Sequence, residues 1–169
     1  MKGNLYLVGY MGAGKSTVGA AAARILGRPF ADLDTIIVER EGRSIPDIFA
    51  ADGEEGFRGC EQAALSSVED RGQVIATGGG ILTWPGNKEI MEKSGVIVFL
   101  DRPLEMILRD LDTSGRPMAA GGKQHIIDLY KKREPQYRGA TAHHVLNVGT
   151  LQEAAEAVAA VAREVLAWR

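Results

Sequence analysis

The sequence has 169 residues, 45% of them hydrophobic and 25% charged, a length and composition that predict one compact globular domain. The formal charge of −2 provides no global basic field, which argues against nucleic acid or an anionic membrane surface as a partner. A single cysteine excludes an internal disulfide, and no apolar stretch approaches the roughly 20 residues that span a bilayer, so with no signal-peptide pattern we expect a cytoplasmic protein.

Short apolar runs alternate with longer helical patterns along the chain, which is typical of a parallel sheet with helices on both faces. The predicted strands are Leu5–Val8, Phe30–Leu33, Val74–Ala76, Val96–Leu100 and His144–Asn147. The predicted helices are Lys15–Leu26, Glu61–Glu69, Leu104–Leu111 and Leu151–Trp168. We therefore predict an α/β fold in one domain over residues 1–169.

The first predicted strand runs into GYMGAGKSTVG, residues 9–19, which contains the phosphate-loop pattern G-x-x-x-x-G-K-S. A glycine-rich turn between a strand and a helix directs backbone N–H groups and the positive helix end toward one point, which favours a phosphate. Lys15 is expected to reach the β- and γ-phosphates of a nucleoside triphosphate, and the Ser16 hydroxyl is expected to ligate Mg²⁺. The other predicted nucleotide contacts in this loop are Gly12, Ala13, Gly14 and Thr17.

The second predicted strand ends in two carboxylates, Asp32 and Asp34. Alternation along a strand would put both on one side, facing the phosphate loop at the carboxyl end of the sheet. One carboxylate could hold Mg²⁺ through water, while the other orients a hydroxyl or helps to take its proton. The alternative is an acidic strand end that caps the next helix, and the phosphate loop upstream favours the functional interpretation.

Arginines further along the chain could meet an acidic substrate. Arg58 has Glu61 one turn later, and Arg133 and Arg138 lie near the end of a helical stretch. A guanidinium matches a carboxylate or phosphate in a bidentate way, although a single arginine is more often a solvated surface residue. We interpret the polar region of about 34–60 as a substrate-binding subdomain and Arg138 as a surface residue.

Two glycine-rich segments are also candidates for function. The triplet Gly78–Gly80 follows the third strand and denies side chains to a backbone that something approaches closely. The segment DTSGRPMAAGG, Asp112–Gly122, is a poor core element, and we predict a mobile lid over about 112–123. Arg116 within it is expected to meet the transferring phosphoryl group.

In this order and with these spacings, the motifs resemble those of shikimate kinases, over essentially the whole chain. The phosphate loop is shared by many proteins, whereas the F-R-x-x-E and G-G-G elements are much more specific. The matching motifs are G-x-x-G-x-G-K-S at 9–16, D-x-D at 32–34, G-E-x-x-F-R-x-x-E at 53–61, G-G-G at 78–80, R-P at 116–117 and R-x-P-x-Y at 133–137.

The resemblance implies a P-loop kinase of the nucleoside monophosphate kinase type, with three layers, a five-stranded parallel sheet and a closing lid. It implies transfer of the ATP γ-phosphoryl group to the 3-hydroxyl of shikimate, in the pathway to chorismate and the aromatic amino acids. ATP and Mg²⁺ would be the cofactors and shikimate the small-molecule partner. We expect a monomer with neither nucleic acid nor membrane as partner.

The resemblance also assigns roles residue by residue. Lys15 and the loop backbone would bind the ATP phosphates, and Ser16 with Asp32 would hold Mg²⁺. Asp34 would hold shikimate hydroxyls, as a general base or only by orienting them. The shikimate carboxylate would lie against Arg58, Arg133 and the backbone of Gly78, Gly79 and Gly80. Arg116 would reach the phosphates from the lid, and Arg109 would pack over adenine.

Two motifs depart from the family pattern. The lid reads R-P-M-A where R-P-L-L is usual, and the late motif reads R-E-P-Q-Y where leucine usually precedes tyrosine. Both changes leave the arginines in place, so they bear on lid packing and turnover rate more than on the reaction.

Three other functions are compatible with a phosphate loop. A kinase for another small hydroxylated acid, such as gluconate, would share the loop and the carboxylates. A GTPase is disfavoured because the D-x-x-G match at Asp112–Gly115 follows a helical pattern and Asn87–Ile90 lacks the aspartate of N-K-x-D. An inactive ATP-binding module is disfavoured because every predicted catalytic residue is intact.

Overall fold

A computed structural model describes residues 3–68, 70–114 and 121–168, without the side chains of 113 and 114. Its sheet contains the strands β1 Asn4–Val8, β2 Phe30–Asp32, β3 Val74–Ala76, β4 Gly95–Asp101 and β5 His144–Leu146. The helices are α1 Lys15–Leu26, α2 Leu33–Glu41, α3 Ile45–Ser67, α4 Asn87–Ser94, α5 Leu104–Ser114, α6 Gly122–Ala140 and α7 Leu151–Val165, and Ile81–Thr83 forms a 3₁₀ turn.

The five strands are parallel, in the order β2-β3-β1-β4-β5, which confirms the predicted five-stranded α/β fold. In the central strand, Leu7 is paired with Ala76 of β3 and with Val98 of β4. Because the strands are parallel and in register, the loops that follow β1, β2 and β3 emerge at the same edge of the sheet. Ligands of open α/β sheets bind at this carboxyl edge.

Two hydrophobic clusters cover the two faces of the sheet and give the three predicted layers. On one face, α1 and α7 pack through small side chains, including Ala22 and Ala159. A Cβ at Gly19 of α1 would lie only 2.9 Å from the Phe30 ring, so glycine lets this helix approach the sheet closely. The other face is covered by residues of α2 to α6, such as Ile37, Leu65, Ile107 and Ile126.

Local signals define several helix ends. The α1 helix ends at Gly27, which has a left-handed φ of 60°, as its sequence predicted. Thr150 and Glu153 form a reciprocal capping box at the start of α7. The α3 helix is interrupted at Gly53, whose φ of 70° is outside the helical range. The polar region of 34–60 therefore contains most of α2 and the part of α3 that includes this break.

The predicted lid falls partly outside the described residues. The α5 helix continues to Ser114 and α6 begins at Gly122, so only the two ends of the 112–123 segment are described. Arg116 lies outside the described residues, as does Glu69 at the end of a predicted helix. Within the described ranges, no helix has the length and hydrophobicity to cross a membrane.

Candidate active site

The phosphate loop connects the buried strand β1 to α1. Its glycines adopt conformations that other residues rarely reach, with φ of 76° at Gly12 and 95° at Gly14. A Cβ at Gly9 would lie 2.6 Å from the carbonyl oxygen of Leu100, so the close packing of this loop on β4 also requires glycine. In the described part of the chain, no side chain caps the start of α1. The first N–H groups of this helix are therefore free to bind an anion.

Lys15 is buried at the base of this loop. Its Nζ donates hydrogen bonds to the carbonyl oxygens of Gly9, at 2.6 Å, and Tyr10, at 3.0 Å. Burial lowers the pKa of Lys15 to about 8, an effect that the charges of Asp34 and Asp32 oppose. The loop carbonyls thus hold the ammonium group beside the N–H groups that would bind phosphate.

Ser16 and the two aspartates form a polar group next to the loop. The Ser16 hydroxyl donates a hydrogen bond to one Asp32 carboxylate oxygen, and the other accepts from the backbone N–H of Asp34 at 3.0 Å. Asp32 is therefore the N-cap of α2, and Asp34 lies in the first turn of that helix. The predicted strand alternation of the two residues is wrong, because β2 ends at Asp32 and the Asp32 side chain starts a helix.

The two aspartates still line one cavity of about 270 Å³ next to the phosphate loop, the phosphate cavity. Burial raises the pKa of Asp34, Asp32 raises it further, and Lys15 and Arg58 oppose the shift. The cavity contains the residues predicted to bind nucleotide phosphates and Mg²⁺, apart from Ala13 and from Arg116, which lies outside the described residues, together with the loop after β3. The lining residues are Met11, Gly12, Gly14, Lys15, Ser16, Thr17, Asp32, Asp34, Thr77, Gly78 and Gly79.

A second cavity of about 350 Å³, the arginine-lined cavity, adjoins the first and brings together all six predicted acceptor residues. The two cavities share Met11, Asp34, Gly78 and Gly79. Asp34 therefore lies between a phosphate donor in the first cavity and an acceptor in the second. The second cavity is completed by Ile45, Phe49, Phe57, Arg58, Glu61, Gly80, Leu129 and Arg133.

Arg58 and Glu61 form a buried ion pair in this second cavity, with Nη1 2.8 Å from Oε1. Burial raises the pKa of Glu61 and the Arg58 charge opposes the rise. The guanidinium lies against Gly80, where a Cβ would collide with it, and a Cβ at Gly78 would lie 3.0 Å from Glu61 Oε2. Both glycines therefore make room for the ion pair. Glu61 is not among the predicted site residues, although its spacing of three residues from Arg58 places both on one helix face.

Two arginines of α6 occupy different environments. Arg133 is partly buried and lines the second cavity beside Arg58. Arg138 is half-exposed and forms ion pairs with Glu134, at 2.6 Å, and Asp101, at 2.9 Å, which confirms its interpretation as a surface residue. Arg109 lies on the exposed side of α5, outside the residues that line either cavity.

A third cavity, of about 540 Å³, lies beside α6 and shares Leu129 and Arg133 with the second. Its lining includes neither the phosphate loop nor the two aspartates. It is larger than the other two, but it lacks the groups that phosphoryl transfer requires.

A phosphate loop, two carboxylates and an adjoining arginine-lined cavity at the carboxyl edge of a parallel sheet define a P-loop phosphotransferase for a small anionic acceptor. The family model for shikimate kinase matches residues 11–167. The chain belongs to the shikimate kinase family, which confirms the resemblance seen in its motifs.

Individual relatives agree with the family model. The chain is 43% identical to the shikimate kinase of Acinetobacter baylyi over 161 residues, covering 92% of this chain and 89% of the relative. It is 38% identical to the enzyme of Clostridium botulinum strain Alaska E43, covering 94% and 96%. The solved shikimate kinase of Acinetobacter baumannii in complex with shikimate superposes with a TM-score of 0.81 at 36% identity, covering 98% of this chain and 93% of the other.

Proposed function

We propose that the protein transfers the γ-phosphoryl group of ATP to the 3-hydroxyl of shikimate, giving shikimate 3-phosphate and ADP. The observation that carries the proposal is the position of Asp34, which lines both the phosphate cavity and the arginine-lined cavity. Membership of the shikimate kinase family supplies the identity of the acceptor. The reaction is an in-line displacement in which the protein acts by positioning and charge neutralisation.

On the donor side, Lys15 and the N–H groups at the start of α1 bind the ATP phosphates. Ser16 and Asp32 are a hydroxyl and a carboxylate already in contact, a donor set that suits Mg²⁺ carried in by the phosphates. Within the described residues, no group of three or more His, Cys, Asp or Glu is placed to hold a metal by itself. When bound, Mg²⁺ would neutralise charge on the phosphate oxygens.

On the acceptor side, Arg58 and Arg133 bind the shikimate carboxylate, with the backbone of Gly78–Gly80 beside it. This arrangement suits an acid because the carboxylate of the substrate replaces water around two partly desolvated guanidinium groups. Asp34 accepts a hydrogen bond from the 3-hydroxyl and points it toward the phosphate cavity. The raised pKa of Asp34 makes its carboxylate a better proton acceptor than an exposed aspartate.

The remaining assignments follow from the family resemblance. Arg116 reaches the phosphates from the lid of about 112–123, and Arg109 packs over adenine. Closure of the lid excludes water, so that ATP is not lost to hydrolysis. The region of about 34–60 acts as the substrate-binding subdomain of one kinase domain, in a cytoplasmic monomer.

The test is ADP release from Mg-ATP with shikimate, with gluconate or with no added acceptor. We expect saturable stimulation by shikimate alone. Stimulation by gluconate instead would support a kinase activity but contradict shikimate as the acceptor. Asp34→Asn preserves the size of the side chain and should abolish the stimulation, whereas substitution of the exposed Asp128 to Asn should not change it.

A further inference from the structure

We propose that Tyr137 and Asn147 are positioning residues that hold the two glycine loops of the site in their anion-binding conformation. Each donates a hydrogen bond to a loop carbonyl and thereby directs the N–H group of the same peptide toward the ligand. The inference rests on the proposed function, because it assigns nucleotide phosphates to one loop and the shikimate carboxylate to the other.

Asn147 acts on the phosphate loop. It is buried directly after β5, and its side-chain Nδ2 donates to the carbonyl oxygen of Ala13 at 2.9 Å. Its own backbone is held from both sides: the Asn147 N–H donates to the Asp101 carbonyl at 2.7 Å, and its carbonyl accepts from Arg102 at 2.9 Å. The side-chain amide of Asn147 is therefore held in place by the sheet and not by the phosphate loop that it contacts.

The direction of the Gly14 N–H follows from peptide geometry. The peptide between Ala13 and Gly14 is planar and trans, so its C=O and N–H groups point in opposite directions. Because Asn147 holds the carbonyl on one side, the N–H is directed to the other side. Gly14 lines the phosphate cavity, and because glycine tolerates many backbone conformations, the hydrogen bond from Asn147 helps to select the observed one, with a φ of 95°.

Tyr137 acts in the same way on the glycine triplet. Its hydroxyl donates to the carbonyl oxygen of Gly79, so the N–H of Gly80 is directed away from the tyrosine. Gly80 lines the cavity that contains Arg58 and Arg133. The ring is buried and stacks on Phe99, with centroids 5.5 Å apart, and burial raises the pKa of the phenol, so the hydroxyl stays a donor throughout the working pH range.

The two contacts belong to separate parts of the molecule. Tyr137 lies on α6 and Asn147 follows β5, and each holds a different loop. Gly79 lines both cavities, but the N–H that Tyr137 orients belongs to Gly80, which lines only the cavity of Arg58 and Arg133. A loss at either contact should therefore act mainly on the ligand of its own loop. A residue that only stabilises the fold would change the binding of both substrates together.

The experiment compares KM values for both substrates in single variants. Tyr137→Phe keeps the ring and should raise the shikimate KM about threefold to tenfold, the effect of one lost hydrogen bond, with the ATP KM within about twofold of wild type. Asn147→Ala should raise the ATP KM by a similar factor and leave the shikimate KM unchanged. If Asn147→Ala does not fold, Asn147→Ser, one bond shorter than the amide, replaces it in the comparison.

Tyr6→Phe is the matched control. Tyr6 is another buried tyrosine, its hydroxyl is 2.7 Å from Ser94 Oγ, and it lies outside both cavities. This variant should lose stability without changing either KM. The inference is overturned if Tyr137→Phe or Asn147→Ala raises both KM values equally, or raises neither. A wild-type protein without shikimate-dependent ADP release would instead overturn the proposed function.

Discussion

The Arg58–Glu61 ion pair is set by a single helix, since the two residues lie three apart on α3 with their charged atoms 2.8 Å from each other. Their side chains are only 7% and 1% exposed. Glu61 holds the guanidinium against Gly80, in the cavity that Arg133 also lines. Glu61 therefore fixes the position of the guanidinium that we propose binds the substrate carboxylate.

Replacing Glu61 by glutamine should cost both stability and substrate binding. Removing one partner of a buried ion pair leaves an uncompensated charge, and we expect the free energy of unfolding to fall by about 3 kcal/mol. The shikimate KM should rise because Arg58 loses its orientation. Urea denaturation and steady-state kinetics measure the two effects.

The control for this variant is Glu92→Gln. Glu92 pairs with Lys88 at 3.4 Å on the exposed side of α4, so its loss should cost less than about 1 kcal/mol and leave the kinetics unchanged. Equal losses of stability in the two variants would contradict the role given to Glu61.

Arg133→Gln should raise the shikimate KM about 10-fold to 100-fold, because a charge-assisted hydrogen bond to the substrate carboxylate is lost. The ATP KM should change little. Arg138→Gln removes a guanidinium five residues along the same helix, from a surface ion-pair group, and should leave both KM values unchanged. A larger rise in the ATP KM than in the shikimate KM would contradict the assignment of Arg133 to the acceptor site.

Nucleotide binding should take up protons near pH 8.5. Burial lowers the pKa of Lys15 to about 8, so part of the free protein has a neutral lysine at that pH. Phosphates favour the charged lysine and raise its pKa again, so ADP affinity should fall as pH rises through about 8. Calorimetry in buffers of different ionisation enthalpy measures the uptake, which should vanish near pH 6.5.

Lys15→Arg is the control for this titration, since a guanidinium stays protonated throughout the range. It should bind ADP without proton uptake at either pH. Uptake that persists unchanged in this variant would show that another group titrates.

Asp32→Asn should weaken the response to Mg²⁺ without unfolding α2. Asparagine is as good an N-cap as aspartate, so the cap on Asp34 N–H is preserved while the carboxylate charge is lost. The Mg²⁺ concentration for half-maximal activity should rise. Asp32→Ala would lose the cap as well and cost about 1 kcal/mol more stability, as measured by thermal unfolding. An unchanged Mg²⁺ dependence in Asp32→Asn would refute its role as a metal-binding residue.

The sequence was most informative where the signal was local. The phosphate loop, the strand that precedes it and the helix that ends at Gly27 are contiguous in the chain, and all are as predicted. Asp32 shows the limit of such reasoning. The sequence favours two aspartates that alternate along a strand over a strand end that caps the next helix, whereas the contact between Asp32 and the Asp34 N–H shows the cap.

Contacts between distant parts of the chain could not be read from any motif. Tyr137 and Gly79 are 58 residues apart, and Asn147 and Ala13 are 134 apart. Their meeting depends on the order of the strands and on the packing of α6, which local patterns do not encode. Glu61 combines a local and a long-range signal. Its spacing from Arg58 is visible in the sequence, whereas its burial against Gly78 is not.

The central claim is transfer of the γ-phosphoryl group to the 3-hydroxyl of shikimate, and the product itself tests it most directly. Phosphorus–proton correlation NMR on a reaction of Mg-ATP with shikimate identifies the carbon that carries the new phosphate. We predict one phosphate monoester, with phosphorus coupled to the proton on C3, formed in equal amount to ADP. Release of inorganic phosphate with shikimate unchanged, or a phosphate on another hydroxyl, would contradict the account.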